Sequence, residues 1–221
     1  MSVLFVTGTD TGVGKTLATG LLARFLLSRG ERVLTMKLVQ TGCDGVPEDL
    51  ELHRRLMGTG PAPEDASGLA CPYVLKFPAS PHLAARLEGI EIAPARLAAA
   101  ARRLEARCDR LLVEGAGGLC VPLADEVTTL DFVAGQGWPV AVVAPARLGS
   151  LNHILLTLAR LAERAVAVRG LVYNLHPAER PEIAGETRRY LRAHFPAVPL
   201  VDLPAFSVES PPAVDFGAFF E

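Results

Sequence analysis

Short, continuous apolar runs alternate along the chain with stretches in which apolar residues return every three or four positions. The runs at residues 3–7, 33–39, 111–113, 140–144, 167–173 and 198–203 read as strands. They are apolar throughout instead of alternating, the pattern of strands buried on both faces of a parallel sheet. Helical spacing marks residues 16–28, 48–57, 81–87, 94–107, 129–135 and 182–194. A further helix begins at Ser150, where Leu151, Ile154, Leu155, Leu158 and Leu161 share one face. Gly30 is placed to stop the first helix. Ser80 and Pro81 suit the cap and first position of another, and Ser150 suits a cap. Residues 58–70, rich in Gly, Pro, Ala and Asp, read as loop, and the tail 207–221 reads as irregular. Strand–helix alternation predicts an α/β fold of three layers: a mostly parallel central sheet, flanked by helices and joined by right-handed crossovers. No repeat or linker divides the chain, and a single domain over residues 1–221 is expected.

Between the first strand and first helix lies Gly8-Thr9-Asp10-Thr11-Gly12-Val13-Gly14-Lys15-Thr16. Strand, glycine-rich turn and helix start are the layout of a phosphate cradle. Glycines let several N–H groups point at one anion, and the helix N-terminus adds about half a positive charge. Lys15 is placed to reach the outer phosphates and the Thr16 hydroxyl to sit on Mg²⁺. The spacing is a variant: Thr9 stands where the first glycine of the loop belongs, and Gly8 comes one residue early. The fold expected is therefore P-loop NTPase-like, with a nucleoside triphosphate as ligand.

In a parallel sheet the carboxyl ends of the strands meet at one rim, where ligands collect. The first strand brings the P-loop there and the second Lys37. The third brings Glu114 followed by Gly115, Ala116 and Gly117, a later one Asn174, and the last Leu203 and Pro204. A lysine leaving a buried strand calls for an anion. A glutamate beside a triphosphate calls for a cation between them. Thr16, Glu114 and a second acid would meet the oxygen-rich demand of Mg²⁺. Asp49 is that second acid, or else a helix-start residue favoured by the dipole. Asn174 is likewise a nucleotide contact or a turn residue.

Bulk properties narrow the partners. The 221 residues suffice for one sizeable core, half of them are apolar, and the net charge is −2. Neither nucleic acid nor a membrane surface is expected as a partner. No stretch approaches the ~18 apolar residues of a membrane span, and no signal-peptide pattern precedes the first strand. Cys43, Cys71, Cys108 and Cys120 form no Cys-x-x-Cys pair and read as reduced thiols of a cytoplasmic protein.

Val6-Thr7-Gly8-Thr9-Asp10-Thr11, continued by Val13-Gly14-Lys15-Thr16, resembles the variant P-loop of dethiobiotin synthetases. Lys37-x-Val39-x-Thr41-Gly42 is similar to their Lys-Pro-Val-x-Ser-Gly motif, with Leu38 for the proline and Thr41 for the serine. Ser80-Pro81-His82, Val113-Glu114-Gly115-Ala116-Gly117-Gly118 and Leu148-Gly149-x-x-Asn152-His153 match in the same order. The resemblance covers nearly the whole chain and weakens after about Pro204. It implies an ATP- and Mg²⁺-dependent ligase of biotin synthesis that joins 7,8-diaminopelargonic acid (7,8-diaminononanoate) to CO₂, forming dethiobiotin, ADP and phosphate. Lys15 and Lys37 would be catalytic, and Lys37→Ala would fold yet lose activity. Gly12, Val13, Gly14, Lys15, Thr16, Leu17, Asp49 and Glu114 to Gly117 would hold the nucleotide, together with Asn174, Leu175, Leu203, Pro204 and Ala205. Thr16, Asp49 and Glu114 would hold Mg²⁺. Thr11, Thr41, Pro81 and the turn Gly149, Ser150, Leu151 and Asn152 would hold the diamine. The resemblance also implies a homodimer, with Tyr190 of the second subunit at the substrate carboxylate. Where the family often has Asn-Asp, this chain has Asn174-Leu175. The alternative is a nucleotide-switched regulatory or partitioning ATPase. Those usually carry a lysine early in the loop, where this chain has Thr9, Asp10 and Thr11.

Overall fold

Successive residues of a strand face opposite sides of its sheet, and here both sides are apolar. In β1 (Val3–Gly8), Val3 and Phe5 join one core while Leu4 and Val6 join another. The computed structural model describes residues 2–176 and 180–221. After β1 come α1 (Lys15–Ser28), β2 (Val33–Lys37), β3 (Gln40–Thr41), α2 (Glu48–Met57), α3 (Pro63–Ala66), β4 (Val74–Leu75), α4 (Pro81–Leu87) and α5 (Pro94–Glu105). The chain continues through β5 (Arg110–Gly118), β6 (Pro122–Ala124), β7 (Val127–Thr128), α6 (Thr129–Gln136), β8 (Val140–Pro145) and α7 (Ser150–Glu163). It ends with β9 (Val168–Asn174), α8 (Pro181–His194), β10 (Leu200–Leu203) and a 3₁₀ turn at Gly217–Phe219.

Six of these strands form one sheet in the order β10-β9-β8-β1-β5-β2, with every pairing parallel. Helices α5 to α8 cover one face through Leu97, Phe132, Leu158 and Leu191. Helix α1 covers the other through Leu21, Leu22 and Leu26, joined by Leu56 of α2. From β1 the chain crosses to the edge strand β2, returns to β5 beside β1, and then leaves on the other side through β8, β9 and β10. The P-loop therefore sits at a switch point of the strand order, where a crevice opens.

Several boundaries differ from the sequence expectation. Strand β5 runs through its glycines to Gly118, because Glu114 pairs with Val6 and Gly118 with Gly8. The apolar run 33–39 is broken: β2 ends at Lys37, and Gln40–Thr41 pairs instead with Val74–Leu75. The expected loop 58–70 contains the single turn α3. Ser150 is not a cap. Gly149, at φ 85°, holds the cap position of α7, and Ser150 is the first helical residue, buried with its hydroxyl unpartnered. Gly30, at φ 81°, does end α1, donating to the Leu27 carbonyl. The tail is irregular, but Phe216 and Phe219 are fully buried against α1 and β9. Gly170 of β9 makes room for them, since a Cβ there would lie 2.1 Å from the Phe219 ring.

Candidate active site

The variant P-loop has a local reason for its early glycine. A Cβ on Gly8, the last residue of β1, would lie 2.8 Å from the Asp10 carbonyl, so the loop can fold closely over the strand end only with glycine there, while Thr9 donates its N–H to Val143 at 3.0 Å. Gly14, at φ 97°, opens α1 with no side-chain cap, leaving the first N–H groups of the helix for an anion. Lys15 folds back over the loop and donates to the Asp10 carbonyl at 3.0 Å. Asp10 accepts the Thr11 N–H at 2.7 Å and pairs with Arg147 at 3.0 Å.

In the sheet, Lys37 of β2 pairs in register with Glu114 of β5, placing both beside the loop. Helix α2 brings Asp49 to the same point. The Lys37 Nζ lies 2.5 Å from Asp49 and 2.7 Å from Glu114, and donates to the Gly115 carbonyl at 3.2 Å. The Thr16 hydroxyl lies 3.1 Å from Asp49 Oδ1 and 3.1 Å from Glu114 Oε1. It has one proton for two carboxylate oxygens. Three oxygen donors from α1, α2 and β5 therefore surround a point that wants positive charge, and the Lys37 ammonium supplies it. Among the described residues no cluster of three or more His, Cys, Asp or Glu could bind a metal by itself. Two carboxylates and a hydroxyl beside a phosphate cradle are the donor set with which Mg²⁺ is held alongside substrate phosphates.

Burial works against the charge on each of these groups, and the neighbours decide the outcome. Burial, and then Lys37, lower Lys15 to about 8. Burial disfavours the Lys37 ammonium, but Glu114 and Asp49 outweigh it and hold the group above the ordinary lysine value. Burial would raise Glu114, yet Lys37 and His53 bring it down to about 2.

A cleft of about 450 Å³ joins these groups, lined by Thr11, Gly12, Leu17, Thr41, Ala116 and Gly117 as well as Lys15, Thr16, Lys37, Asp49 and Glu114. Gly115 is required by packing, as a Cβ there would lie 2.8 Å from the Phe5 ring. Asn174 is buried against the loop with its amide engaged at both ends. Nδ2 donates to the Val13 carbonyl at 3.0 Å and Oδ1 accepts the His176 N–H at 3.1 Å. Leu175 donates its N–H to Leu203, which is buried, while Pro204 and Ala205 are exposed beyond it. Glu209 of the tail pairs with Arg55 of α2 at 2.9 Å.

Other expected contacts lie outside the cleft. Pro81 is buried as the first residue of α4, and His82 lines a separate cavity with Leu123 and Val127. Gly149, Ser150, Leu151 and Asn152 open α7, whose later residues His153 and Leu156 line a trough of about 480 Å³ that also reaches Thr11. Tyr190 is half-buried in the last part of α8 and stacks on His194. Sequence reasoning did not single out His53, Thr35 and Arg54, which are buried directly behind Glu114. The readable signal was that His53 follows Asp49 by one helical turn.

The family model of an AAA domain matches residues 2–208. The ATP-dependent dethiobiotin synthetase BioD 2 of Pasteurella multocida is 45% identical over 193 residues, covering 87% of this chain and 91% of that protein. BioD of Chlorobaculum tepidum is 43% identical over 215 residues, covering 95% and 90%. Among solved structures, the cell division protein FtsY of Thermotoga maritima aligns with TM-score 0.56 and 17% identity over 99% of this chain and 66% of its own. FlhF in complex with GMPPNP and Mg²⁺ aligns with TM-score 0.55 and 12% identity over 99% of this chain and 72% of its own. These likenesses show the fold: a parallel sheet flanked by helices, shared with P-loop NTPases. The identities to the synthetases run along most of the sequence, and on that ground the chain belongs to the ATP-dependent dethiobiotin synthetase family.

Proposed function

We propose that this chain closes the ureido ring of dethiobiotin from 7,8-diaminopelargonate and CO₂, with Mg²⁺ and ATP, releasing ADP and phosphate. One substrate amine takes up CO₂ as a carbamate and releases a proton. The γ-phosphoryl group passes to a carbamate oxygen, giving a mixed carbamic–phosphoric anhydride and ADP. The second amine attacks the carbonyl carbon, phosphate leaves, and the ring closes. Phosphoryl transfer of this kind needs positioning and charge stabilisation more than covalent help from the protein.

The observation that carries this reading is the convergence of Lys15, Lys37, Thr16, Asp49 and Glu114 at one cleft. The free N–H groups at the start of α1 hold the phosphates, and Lys15 turns from the Asp10 carbonyl to meet them. Thr16, Asp49 and Glu114 would hold Mg²⁺, which when bound supplies positive charge for the phosphate oxygens. Lys37 then gives up the carboxylates and stands between the two anionic reactants. Thr11 and Thr41 line the end of the cleft left for the amines. The N-terminal N–H groups of α7 offer a site for the distal carboxylate. The protein works in the cytoplasm as a homodimer of one-domain subunits. Its free thiols and the 58% exposure of Leu156, farther along α7, support this. Among the described residues no helix is long and apolar enough to cross a membrane.

The test is ADP release with Mg·ATP, adding diamine and bicarbonate separately and together. Release that requires both is expected. Release stimulated by a macromolecular partner, with no response to the diamine, would overturn the reading in favour of a nucleotide-driven switch.

A further inference from the structure

Asp49 and His53 lie one turn apart on α2, so one helix face carries an acid of the cleft and an imidazole behind it. His53 is completely buried. Its Nε2 lies 2.7 Å from Glu114 Oε2 and its Nδ1 lies 3.1 Å from Thr35 Oγ1. The same Thr35 oxygen accepts from Arg54 at 2.8 Å, and Arg54 is fixed by two bonds to Asp65, at 2.6 and 2.9 Å.

Counting protons sets the direction of the chain. Arg54 can only donate, so Thr35 receives from it and has one proton of its own to give. The Glu114 carboxylate can only accept, so the imidazole hydrogen lies on Nε2 and is donated to Oε2, which leaves Nδ1 to take the Thr35 proton. One oxygen of the carboxylate is thereby occupied from behind. The other, Oε1, faces Thr16 and Lys37. Glu114 is fully buried, so water cannot take over the restraint.

We propose that His53 is a positioning residue that clamps Glu114 from behind, so that Oε1 alone is presented to the cation accompanying the nucleotide. This rests on the magnesium-nucleotide reading above. Hydrogen-bond partners of metal ligands commonly govern affinity through the orientation they impose. Here the clamp is tied through Thr35, Arg54 and Asp65 to the segment that follows α2.

The test uses the intact protein and calorimetric titration with ADP across a series of Mg²⁺ concentrations, which requires no turnover. His53→Leu removes the donor at similar volume, and His53→Gln keeps an N–H that can reach Glu114. His53→Leu is expected to raise the Mg²⁺ needed for half-maximal ADP binding by about 10- to 100-fold, with ADP binding in chelator unchanged. His53→Gln should return to within a few-fold of wild type. Thr35→Val, which spares the ring but removes its Nδ1 partner, should shift the requirement in the same direction and serves where His53→Leu does not fold. A wild-type Mg²⁺ requirement in His53→Leu, or in Thr35→Val where it serves instead, overturns the clamp, as does equal impairment of His53→Leu and His53→Gln. Wild-type ADP binding that ignores Mg²⁺ would instead overturn the metal reading, and the clamp with it.

Discussion

Replacing Lys37 by Met should damage stability as well as turnover, and the structure sets the size of each effect. The lysine is 5% exposed and bridges Asp49 and Glu114. Removing one partner of a buried ion pair typically costs about 3–5 kcal/mol, because the remaining charge is left uncompensated. The Asp49 side chain is 24% exposed and can turn to water, so most of the cost falls on Glu114, whose side chain is 1% exposed. His53 still serves Glu114 from behind, which places the expected loss at the low end, about 3 kcal/mol. Urea unfolding in chelator measures it. Mg²⁺ should restore part of the loss by binding the folded form where the ammonium stood, by roughly 2.7 kcal/mol at a hundredfold excess over its dissociation constant. The effect also has a pH signature. In the wild type Glu114 is held at about 2, below the ordinary value of 4.5, so the stability it contributes is present above 4.5 and is lost as the pH falls towards 2. In Lys37→Met burial is less opposed and the glutamate protonates sooner, so the gap between the two proteins should close over that window. ADP release should fall by about 10²–10³, the loss typical of removing one preorganised donor. Unfolding of Lys37→Met at the wild-type urea midpoint in chelator would refute the ion-pair argument, and near-normal turnover would refute the catalytic role.

Two further predictions concern the scaffold. Phe219→Ala should destabilise by about 3–5 kcal/mol, the usual cost of emptying a buried aromatic site, and lower the melting temperature by about 10 °C for a chain of this size; a loss below about 1 kcal/mol would mean the tail does not complete the core. Thr128 accepts the Asp131 N–H at 3.1 Å, and Asp131 accepts the Thr128 N–H at 3.0 Å, a reciprocal cap on α6. Thr128→Ala should cost about 1 kcal/mol by urea unfolding at pH 7. Hydrogen bonds from Thr128, then from Arg164, hold Asp131 at about 2 against an ordinary value of 3.8, so this penalty should shrink as the pH falls from 4 towards 2.

Local order along the chain determined the alternation of strands and helices, the position of the P-loop and the two-sided burial of the sheet. Those properties depend on neighbours in sequence: apolar periodicity, glycine at positive φ, and a helix start that leaves N–H groups free. The strand-end logic also reached Lys37 and Glu114, since a parallel sheet delivers its strand ends to one rim, and the need for a second acid beside them pointed to Asp49 at the start of α2. Tertiary structure alone decided what those groups do to one another. Lys37 and Glu114 are 77 positions apart and become neighbours through the β2–β5 register. That pairing turns a lysine expected to await an anion into one already held by two carboxylates. The same long-range packing buried His53 and Thr35 behind Glu114, committed the Asn174 amide to the P-loop, and drew Phe216 and Phe219 of an irregular tail into the core. Periodicity reports which face a residue takes. Which distant group it meets there depends on how helices and strands far apart in sequence fill the space between them.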